Sequence, residues 1–136
     1  MAYVIKSEIP DPSAPIFEFN AAKTMYGGKL ITPGDKAFLF ASENAGGPGL
    51  VTLGFVICAS PVERQAGPQR QTPRVSIAVE RRLASRRRLG RAELKRFSDW
   101  NDGRPETELN FKLYRQATDK IVGISSAAEA FLDLFF

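Results

Sequence analysis

The fold is decided by residues 33–60, which have the sequence PGDKAFLFASENAGGPGLVTLGFVICAS. Two apolar runs, at residues 38–40 and 50–59, flank a glycine-rich loop. Apolar runs of this length, bounded by turn residues, predict two buried strands joined as a hairpin. Both faces of the second run are apolar, so we expect a curved sheet or small barrel that is covered on both sides. Gly54 inside this run predicts a bulge or a close backbone approach.

The length and composition predict one domain that spans residues 1–136. The chain has 136 residues, of which 43% are hydrophobic. This is enough for one core and too little for two ordinary domains. No stretch approaches the roughly 18 apolar residues of a membrane-spanning helix, and the first residues do not resemble a secretion signal. We therefore expect a cytoplasmic protein without a membrane partner.

The scarcity of reactive side chains argues against common enzyme classes. There is no histidine and one cysteine, which removes the usual general base and the usual zinc ligands. Cys58 lies inside an apolar run and is predicted to be a buried, inert thiol. We expect no metal, no cofactor and no catalytic residue.

The net charge of +4 conceals a strongly basic segment. Residues 70–96 contain ten basic and two acidic side chains, a local charge of +8, so the rest of the chain is negative. A basic segment of this kind concentrates polyanions near one face of a protein. The side chains predicted to contact phosphates are Arg81, Arg82, Arg86, Arg87, Arg88 and Arg91. The alternative is a solvated charged face without a partner.

The rest of the N-terminal half supplies further elements. Residues 3–7 predict a short strand, followed by a proline-rich loop. Residues 16–30 have no clean period and predict a loop or short helix pressed on the core. Residues 61–73 are polar and predict a mobile connector. Strict alternation over residues 74–80 predicts another strand, with its β-branched side chains facing inward.

The C-terminal half predicts helices and one more strand. Apolar side chains at helical spacing predict a helix over residues 92–100. Residues 110–124 predict a short helix or extended piece, then a turn, then a strand near residues 120–123. Ser126 followed by Glu129 matches a capping box, which predicts a closing helix. The packed face of that helix is predicted to carry Ala127, Phe131, Leu132 and Phe135.

Short motifs along nearly the whole chain carry a family resemblance. They are Lys6, Ser7, Glu8 and Pro10 after the first strand, Gly34 and Asp35 before residues 38–42, the run 49–56, residues 91–94, and Arg115 with Gln116. Together with the order of the elements, these motifs resemble the PUA-like superfamily, in particular its EVE domains, which are related to the YTH readers of modified RNA. The resemblance implies an α+β fold, a small PUA-like β-barrel of about five to six strands with flanking short helices.

The chain departs from the EVE pattern at three places. EVE domains usually have a tryptophan in the first strand, where this chain has Tyr3 and Val4. Proline usually follows the lysine-serine-glutamate motif directly, whereas Ile9 intervenes here. Residues 20–28 replace a loop rich in asparagine and tyrosine. These departures concern the aromatic part of the pocket that the family uses to hold a base.

The resemblance implies a pocket in which a nucleobase, often a modified one, is held. Its predicted members are Lys6, Ser7, Ser42, Glu43, Asn44, Trp100, Arg115 and Gln116. An arginine can stack or bridge to phosphate, and a glutamine amide can read a base edge. Trp100 would supply a stacking plate. The alternative role of each residue is structural: a solvated lysine, turn formation around residues 42–44, an exposed turn pair, or core packing by the tryptophan.

We therefore expect a non-catalytic module that binds nucleic acid, RNA or DNA, through a modified or extruded base. One alternative is a protein that binds a small molecule or nucleotide derivative. Another is an enzyme acting on RNA or a modified base, with Lys6 or Glu43 as acid or base. A third is an interaction protein that docks through residues 131–136. The identity of the base, the choice between monomer and weak dimer, and any effector partner stay open at this stage.

Overall fold

Six strands close into one barrel in a computed structural model of the chain, which describes residues 1–63 and 72–136. The strands are β1 (Ala2–Ser7), β2 (Ile16–Met25), β3 (Lys36–Ala41), β4 (Gly49–Pro61), β5 (Arg74–Ala84) and β6 (Lys120–Ile124). Around the barrel their order is β1-β3-β4-β5-β2-β6. Three helices flank it, namely α1 (Arg91–Leu94), α2 (Pro105–Tyr114) and α3 (Ser126–Asp133). The predicted α+β barrel with short helices is confirmed.

Strand β1 lies between β3 and β6 in the closed barrel. It pairs in parallel with β3 and antiparallel with β6. Tyr3 and Ile5 belong to the cluster inside the barrel, whereas Ala2 and Val4 belong to the layer beneath the helices. This alternation follows from the two-residue period of a strand. Because both faces are covered, every residue of β1 except Ser7 is buried.

The predicted hairpin is confirmed as the antiparallel pair β3 and β4. Leu39 faces the barrel interior, while Phe38 and Phe40 pack under the helices, and all three are fully buried. Gly54 lies where the pairing of β4 with β5 shifts register. A Cβ atom at this position would come within 2.4 Å of the Glu80 carbonyl oxygen. The close backbone approach predicted at Gly54 is therefore present.

The second half of β4 differs from the prediction of burial on both faces. Ile57 is 44% exposed and Cys58 is exposed, so the prediction of a buried thiol is wrong. The register shift between Val56 and Cys58 changes which side chains face inward. The strand also continues to Pro61, where its side chains are exposed.

Residues 16–25 form a strand, which corrects the prediction of a loop or helix. Phe17 and Phe19 alternate with exposed residues at the start of β2. The alternation then stops, because the pairing with β5 shifts register between Phe19 and Ala22. Ala21 there has a φ of 50°, which is rare for a residue with a Cβ atom. The bulge therefore breaks the two-residue period of this ten-residue strand, so the sequence pattern does not predict it.

Two helices begin or end at positions that the sequence analysis did not predict. The helix expected over residues 92–100 ends at Leu94, after a single turn. Helix α2 starts at Pro105, a residue that is favoured at the first helical position because its missing N–H would have no partner there.

The cap of α3 also differs from the prediction. The N-cap is Ser125, whose Oγ accepts a hydrogen bond from the Ala128 backbone N–H at 3.1 Å. The helix is therefore capped one residue before the predicted Ser126, and Ala127 is exposed instead of packed. Ala128, Leu132 and Phe135 are buried, and Phe131 is partly buried.

Two further predicted strands are present, and one predicted connector is mostly outside the described residues. The strands predicted near residues 74–80 and 120–123 are present as β5 and β6. Most of the connector predicted at residues 61–73 lies outside the described residues. Among the described residues, no helix has the length and apolar character needed to cross a bilayer.

Replacing Gly54 by alanine is expected to destabilise the barrel by about 1–3 kcal/mol, because the added methyl group collides with backbone in a packed strand pair. Chemical denaturation measures the free energy of unfolding. Ser60→Ala, at an exposed position of the same strand, serves as the control and should change stability little. A Gly54→Ala variant as stable as the wild type would contradict this account of the contact.

Candidate functional site

A cleft opens where β2 separates from β6. The two strands pair at two positions, Thr24 with Ile121 and Met25 with Val122. Before these positions, β2 remains paired with β5 while the chain ahead of β6 forms a loop. The space between them is about 790 Å³. Its walls are the end of β1, the middle of β2, the exit of β3 and the loop before β6.

Four of the predicted pocket residues meet in this cleft. Lys6 and Ser7 come from the end of β1, and Ser42 and Asn44 follow β3. Parallel pairing explains this meeting, because β1 and β3 end at the same edge of the sheet. The Ser42 backbone N–H donates to the Ser7 carbonyl oxygen at 2.8 Å, which joins the two strand ends.

Asn44 connects the two walls of the cleft that are formed by the loop after β3 and the loop before β6. Its Nδ2 atom donates to the Ala117 carbonyl oxygen at 3.1 Å. Residues 117–120 line the cleft, so this bond ties the loop after β3 to the loop before β6. The spacing of the two walls therefore depends on a side-chain bond between segments that are 73 residues apart.

The sequence analysis did not predict most of the residues on the β2 side of the cleft. From β2, Glu18, Phe19, Asn20 and Lys23 line the cleft, and Arg74 lines it from β5. Glu8 after β1 and Asp119 before β6 are further lining residues that were not predicted. The bulge is held from β5, since the Ala21 N–H donates to Ser76 Oγ at 2.9 Å and Arg74 Nη1 donates to the Ala21 carbonyl at 2.8 Å. The departure of residues 20–28 from the EVE pattern marked this region, but it gave no position for the side chains.

Glu43 lies behind the cleft, and its carboxylate bonds to groups of α1 and α2. Its Oε1 accepts from the Tyr114 hydroxyl at 2.7 Å, and its Oε2 accepts from the Arg91 backbone N–H at 2.6 Å. Burial, together with the Glu43 carboxylate, raises the pKa of Tyr114 well above its usual value. Glu43 thus joins the exit of β3 to α1 and α2. Both carboxylate oxygens are engaged by these donors.

Lys6 and Lys120 face each other across the ladder between β1 and β6. Each is 2% exposed, and both line the cleft. Burial, the neighbouring Lys6 and the cleft residue Lys23 lower the pKa of Lys120 to about 8, against a smaller opposing effect of Asp119. Burial also lowers the pKa of Lys6. The sequence did not reveal this pair, because Lys120 follows a polar turn that is far from Lys6 along the chain.

The other predicted pocket residues lie outside the cleft lining. Trp100 packs edge-on against Phe111, with ring centroids 5.3 Å apart, and it is 44% exposed. The Arg115 guanidinium lies over the same Phe111 ring at 4.8 Å. Gln116 adjoins the cleft through its carbonyl oxygen, which accepts from Lys120 Nζ at 2.7 Å. Trp100 and Arg115 therefore belong to a separate aromatic surface on α2.

Two residues of the arginine run hold the end of α3. Arg86 Nη2 donates to the Phe136 carbonyl at 2.7 Å, and Arg87 Nη2 donates to the Leu134 carbonyl at 3.3 Å. The Arg87 guanidinium also lies 4.4 Å from the centre of the Phe135 ring. Cations near the end of a helix satisfy unpaired carbonyl groups and the helix dipole.

The other four arginines have different surroundings. Arg82 pairs with Glu80 at 3.1 Å, and Arg88 lies 3.6 Å from Glu93. Both pairs are largely exposed, so their contribution to stability is small. Arg81 has a buried Nε atom without a hydrogen-bond partner among the described residues. Arg91 lines a small cavity of about 10 Å³ with Lys6, which places it beside the cleft.

Among residues 1–63 and 72–136, no group of histidine, cysteine, aspartate and glutamate side chains could hold a metal ion. The chemistry that the cleft offers is hydrogen bonding, charge of both signs and one aromatic face. The bonding groups are hydroxyls, amides, ammonium groups, the Arg74 guanidinium and the carboxylates of Glu8, Glu18 and Asp119. These are groups that recognise a polar, flat or anionic ligand.

Comparison with solved structures identifies the fold. The DUF55 domain of human thymocyte nuclear protein 1 aligns with a TM-score of 0.68 and 17% identity over 98% of each chain. Human THYN1 in complex with DNA that contains 5-methylcytosine aligns with a TM-score of 0.66 and 18% identity, over 98% of this chain and 96% of that one. A protein from Pseudomonas syringae aligns over the full length of both chains, with a TM-score of 0.60 and 15% identity.

Sequence comparison adds nothing to this result, since no family model and no curated protein matches the chain. The structural likeness shows the fold alone, a barrel shared with the DUF55 domain of human thymocyte nuclear protein 1. The resemblance stated from the sequence motifs is therefore confirmed at the level of the fold.

The lowered pKa of Lys120 predicts a specific dependence of stability on pH. The folded state holds this proton less tightly than the unfolded chain, whose lysine titrates near 10.5. The charged group therefore opposes folding below pH 8, and this penalty disappears as the pH rises from about 8 to 10.5. Lys120→Met should raise stability at pH 7, and its advantage over the wild type should shrink towards pH 10.

Thermal unfolding between pH 7 and pH 10 measures this difference. Lys29→Met, at an exposed position, is the matched control and should show no such trend. A Lys120→Met variant that is less stable than the wild type at pH 7 would contradict the assigned penalty.

Proposed function

We propose that this EVE-type barrel binds nucleic acid without catalysing a reaction, and that the cleft between β2 and β6 holds one extruded, modified base. The cleft itself is the observation that carries the proposal. It lies in a fold shared with a protein whose structure was solved with DNA containing 5-methylcytosine. It is also built from the strand ends that carry the EVE motifs, Lys6 and Ser7 after β1 and Ser42 after β3.

The dimensions and lining of the cleft support this proposal. Its volume of about 790 Å³ is within the range of small-ligand sites. A flipped base needs a face for stacking and groups that read its edge. Phe19 is the aromatic residue among the described lining residues, and Ser7, Ser42 and Asn20 supply donors and acceptors. The base would therefore be held by one aromatic wall and a polar rim.

The distribution of arginines supports a role for part of the basic run in phosphate contact. Arg91 lies beside the cleft, next to Lys6. Arg88 is exposed and precedes it by three residues. In this proposal, Arg88 and Arg91 contact the nucleic-acid backbone next to the extruded base. Arg86 and Arg87, by contrast, have structural partners at the end of α3.

The surroundings of Glu43 support a role without chemistry. A general base needs a carboxylate that can reach the ligand. Both oxygens of Glu43 instead accept hydrogen bonds from Tyr114 and the Arg91 backbone. This arrangement argues against the enzyme alternative in which Glu43 is the acid or base.

A methylated oligonucleotide should bind better than its unmethylated counterpart. The two probes share one sequence and differ in a single 5-methylcytosine, and we expect a preference of about tenfold if one methyl group fills the pocket. Phe19→Leu keeps an apolar side chain but removes the stacking face, so it should reduce this preference towards one. Fluorescence anisotropy at low salt measures both affinities.

Phe97→Leu, a partly buried position outside the cleft, is the control for loss of an aromatic ring. It should leave the preference unchanged. Undetectable binding of both oligonucleotides at low salt would sink the proposal. If Phe19→Leu and Phe97→Leu changed the preference equally, the assignment of the base to the cleft would be wrong.

The contacts of Arg88 and Arg91 with phosphates should appear in the salt dependence of binding. Each phosphate contact on duplex DNA contributes about 0.9 to the slope of log K against log salt concentration. The double change Arg88→Gln and Arg91→Gln should therefore lower the slope by about 1.8 and weaken modified and unmodified probes equally. Arg104→Gln, another exposed arginine, is the control. An unchanged slope would show that these residues do not contact the backbone.

A further inference from the structure

The pairing of Lys6 with Lys120 is unfavourable in the free protein. Like charges placed directly opposite each other on a sheet repel, and buried charges are normally paired with a charge of opposite sign. Here Lys6 and Lys120 are register partners on neighbouring strands, and each residue is 2% exposed. Two buried lysines of like charge must be stabilised either by contacts within the protein or by a bound ligand.

The protein compensates this charge only in part. Lys6 Nζ donates to the Leu113 carbonyl at 3.2 Å and lies 4.9 Å from the centre of the Tyr114 ring. Lys120 Nζ donates to the Gln116 carbonyl at 2.7 Å. An ammonium group has three N–H donors, so each lysine has donors to spare. Within residues 1–63 and 72–136, neither lysine has a carboxylate within ion-pair distance.

The charges around the pair are mixed. Lys23 on β2 and Arg91 at the start of α1 add positive charge, while Glu43 after β3 and Asp119 before β6 oppose it. Arg74 on β5, Glu18 on β2 and Glu8 after β1 also line the cleft. None of these four carboxylates is within ion-pair distance of Lys6 or Lys120. Glu43 is moreover engaged by Tyr114 and the Arg91 backbone. The cleft lining has four basic residues (Lys6, Lys23, Arg74 and Lys120) and three acidic ones (Glu8, Glu18 and Asp119), so its formal charge is +1 and the two buried lysines have no carboxylate of their own.

We propose that Lys6 and Lys120 form an anion subsite that takes a phosphate group of the bound nucleotide. The inference rests on the proposed function, because it names a second part of the ligand for the same cleft. A phosphate supplies negative charge and several acceptor oxygens, and it forms short, strong bonds with ammonium donors. A neutral base edge supplies acceptors but leaves the two charges uncompensated. The subsite thus explains why two lysines are buried opposite each other.

Calorimetric titration with matched ligands tests the subsite. The probes are 5-methyl-2′-deoxycytidine, its 5′-monophosphate, and a dinucleotide in which the same nucleoside carries a phosphodiester. We expect the wild type to bind the monophosphate at least about tenfold more tightly than the nucleoside, a difference of about 1.4 kcal/mol. In Lys120→Met this ratio should fall close to one, whereas the Lys29→Met control should keep it. A stronger response to the monoester or to the diester tells which phosphate the subsite takes, and either supports it.

A second readout separates ligation from a merely structural role. A phosphate monoester is fully ionised at pH 8, because its second pKa is about 6, whereas Lys120 is partly neutral there. Binding of the monophosphate should therefore take up a proton in the wild type, seen as a binding enthalpy that depends on the buffer. Lys120→Met should bind without this uptake. Absence of uptake in the wild type would overturn the subsite.

The outcomes also separate this inference from the proposed function. Equal affinity of the wild type for the nucleoside and its monophosphate overturns the subsite and leaves the base pocket standing. If no nucleoside-containing probe binds, but millimolar sulfate raises the melting temperature of the wild type and not that of Lys120→Met, the base pocket fails and the anion subsite stands.

Discussion

The whole structure depends on the insertion of β1 between β3 and β6. One ladder of β1 joins it to a strand about 35 positions later, and the other joins it to a strand more than 110 positions later. Ordering so long a loop costs conformational entropy, although the cost grows slowly with length. Burial offsets it, because β1 contributes side chains to the barrel interior and to the layer beneath the helices. The cleft exists only in the closed barrel, since its walls come from both ends of the chain.

Much of this fold was predictable wherever one short stretch of sequence carried its own signal. The hairpin of β3 and β4, the strand β1 and the core of β5 all have apolar patterns that survive in the structure. Strand β2 was missed because the bulge at Ala21 interrupts its alternation after Phe19. The helix over residues 92–100 was overestimated because spacing alone does not show where packing partners end. Ser125 and Ser126 are chemically equivalent caps, and only the backbone geometry distinguishes them.

The candidate site was predictable to the extent that it follows strand ends. Lys6, Ser7, Ser42 and Asn44 were grouped by the family resemblance, and they meet because the parallel strands β1 and β3 end at the same edge. The positions of Trp100 and Arg115 depend on how α2 packs, and both side chains lie against Phe111. The pairing of Lys6 with Lys120 depends on the register between distant strands, which no local pattern encodes. Side-chain chemistry was therefore easier to predict than the partners of each side chain.

The short ladder between β2 and β6 has a consequence for the divergence of this fold. Residues 18–23 and 117–119 flank the cleft, and the two segments do not pair with each other. The exposed side chains of these segments, at Glu18, Asn20 and residues 117–119, lie outside the two core clusters. Substitutions there change the wall of the cleft and leave the core packing in place. This separation of cleft wall and core is consistent with a barrel that keeps a TM-score of 0.68 at 17% identity.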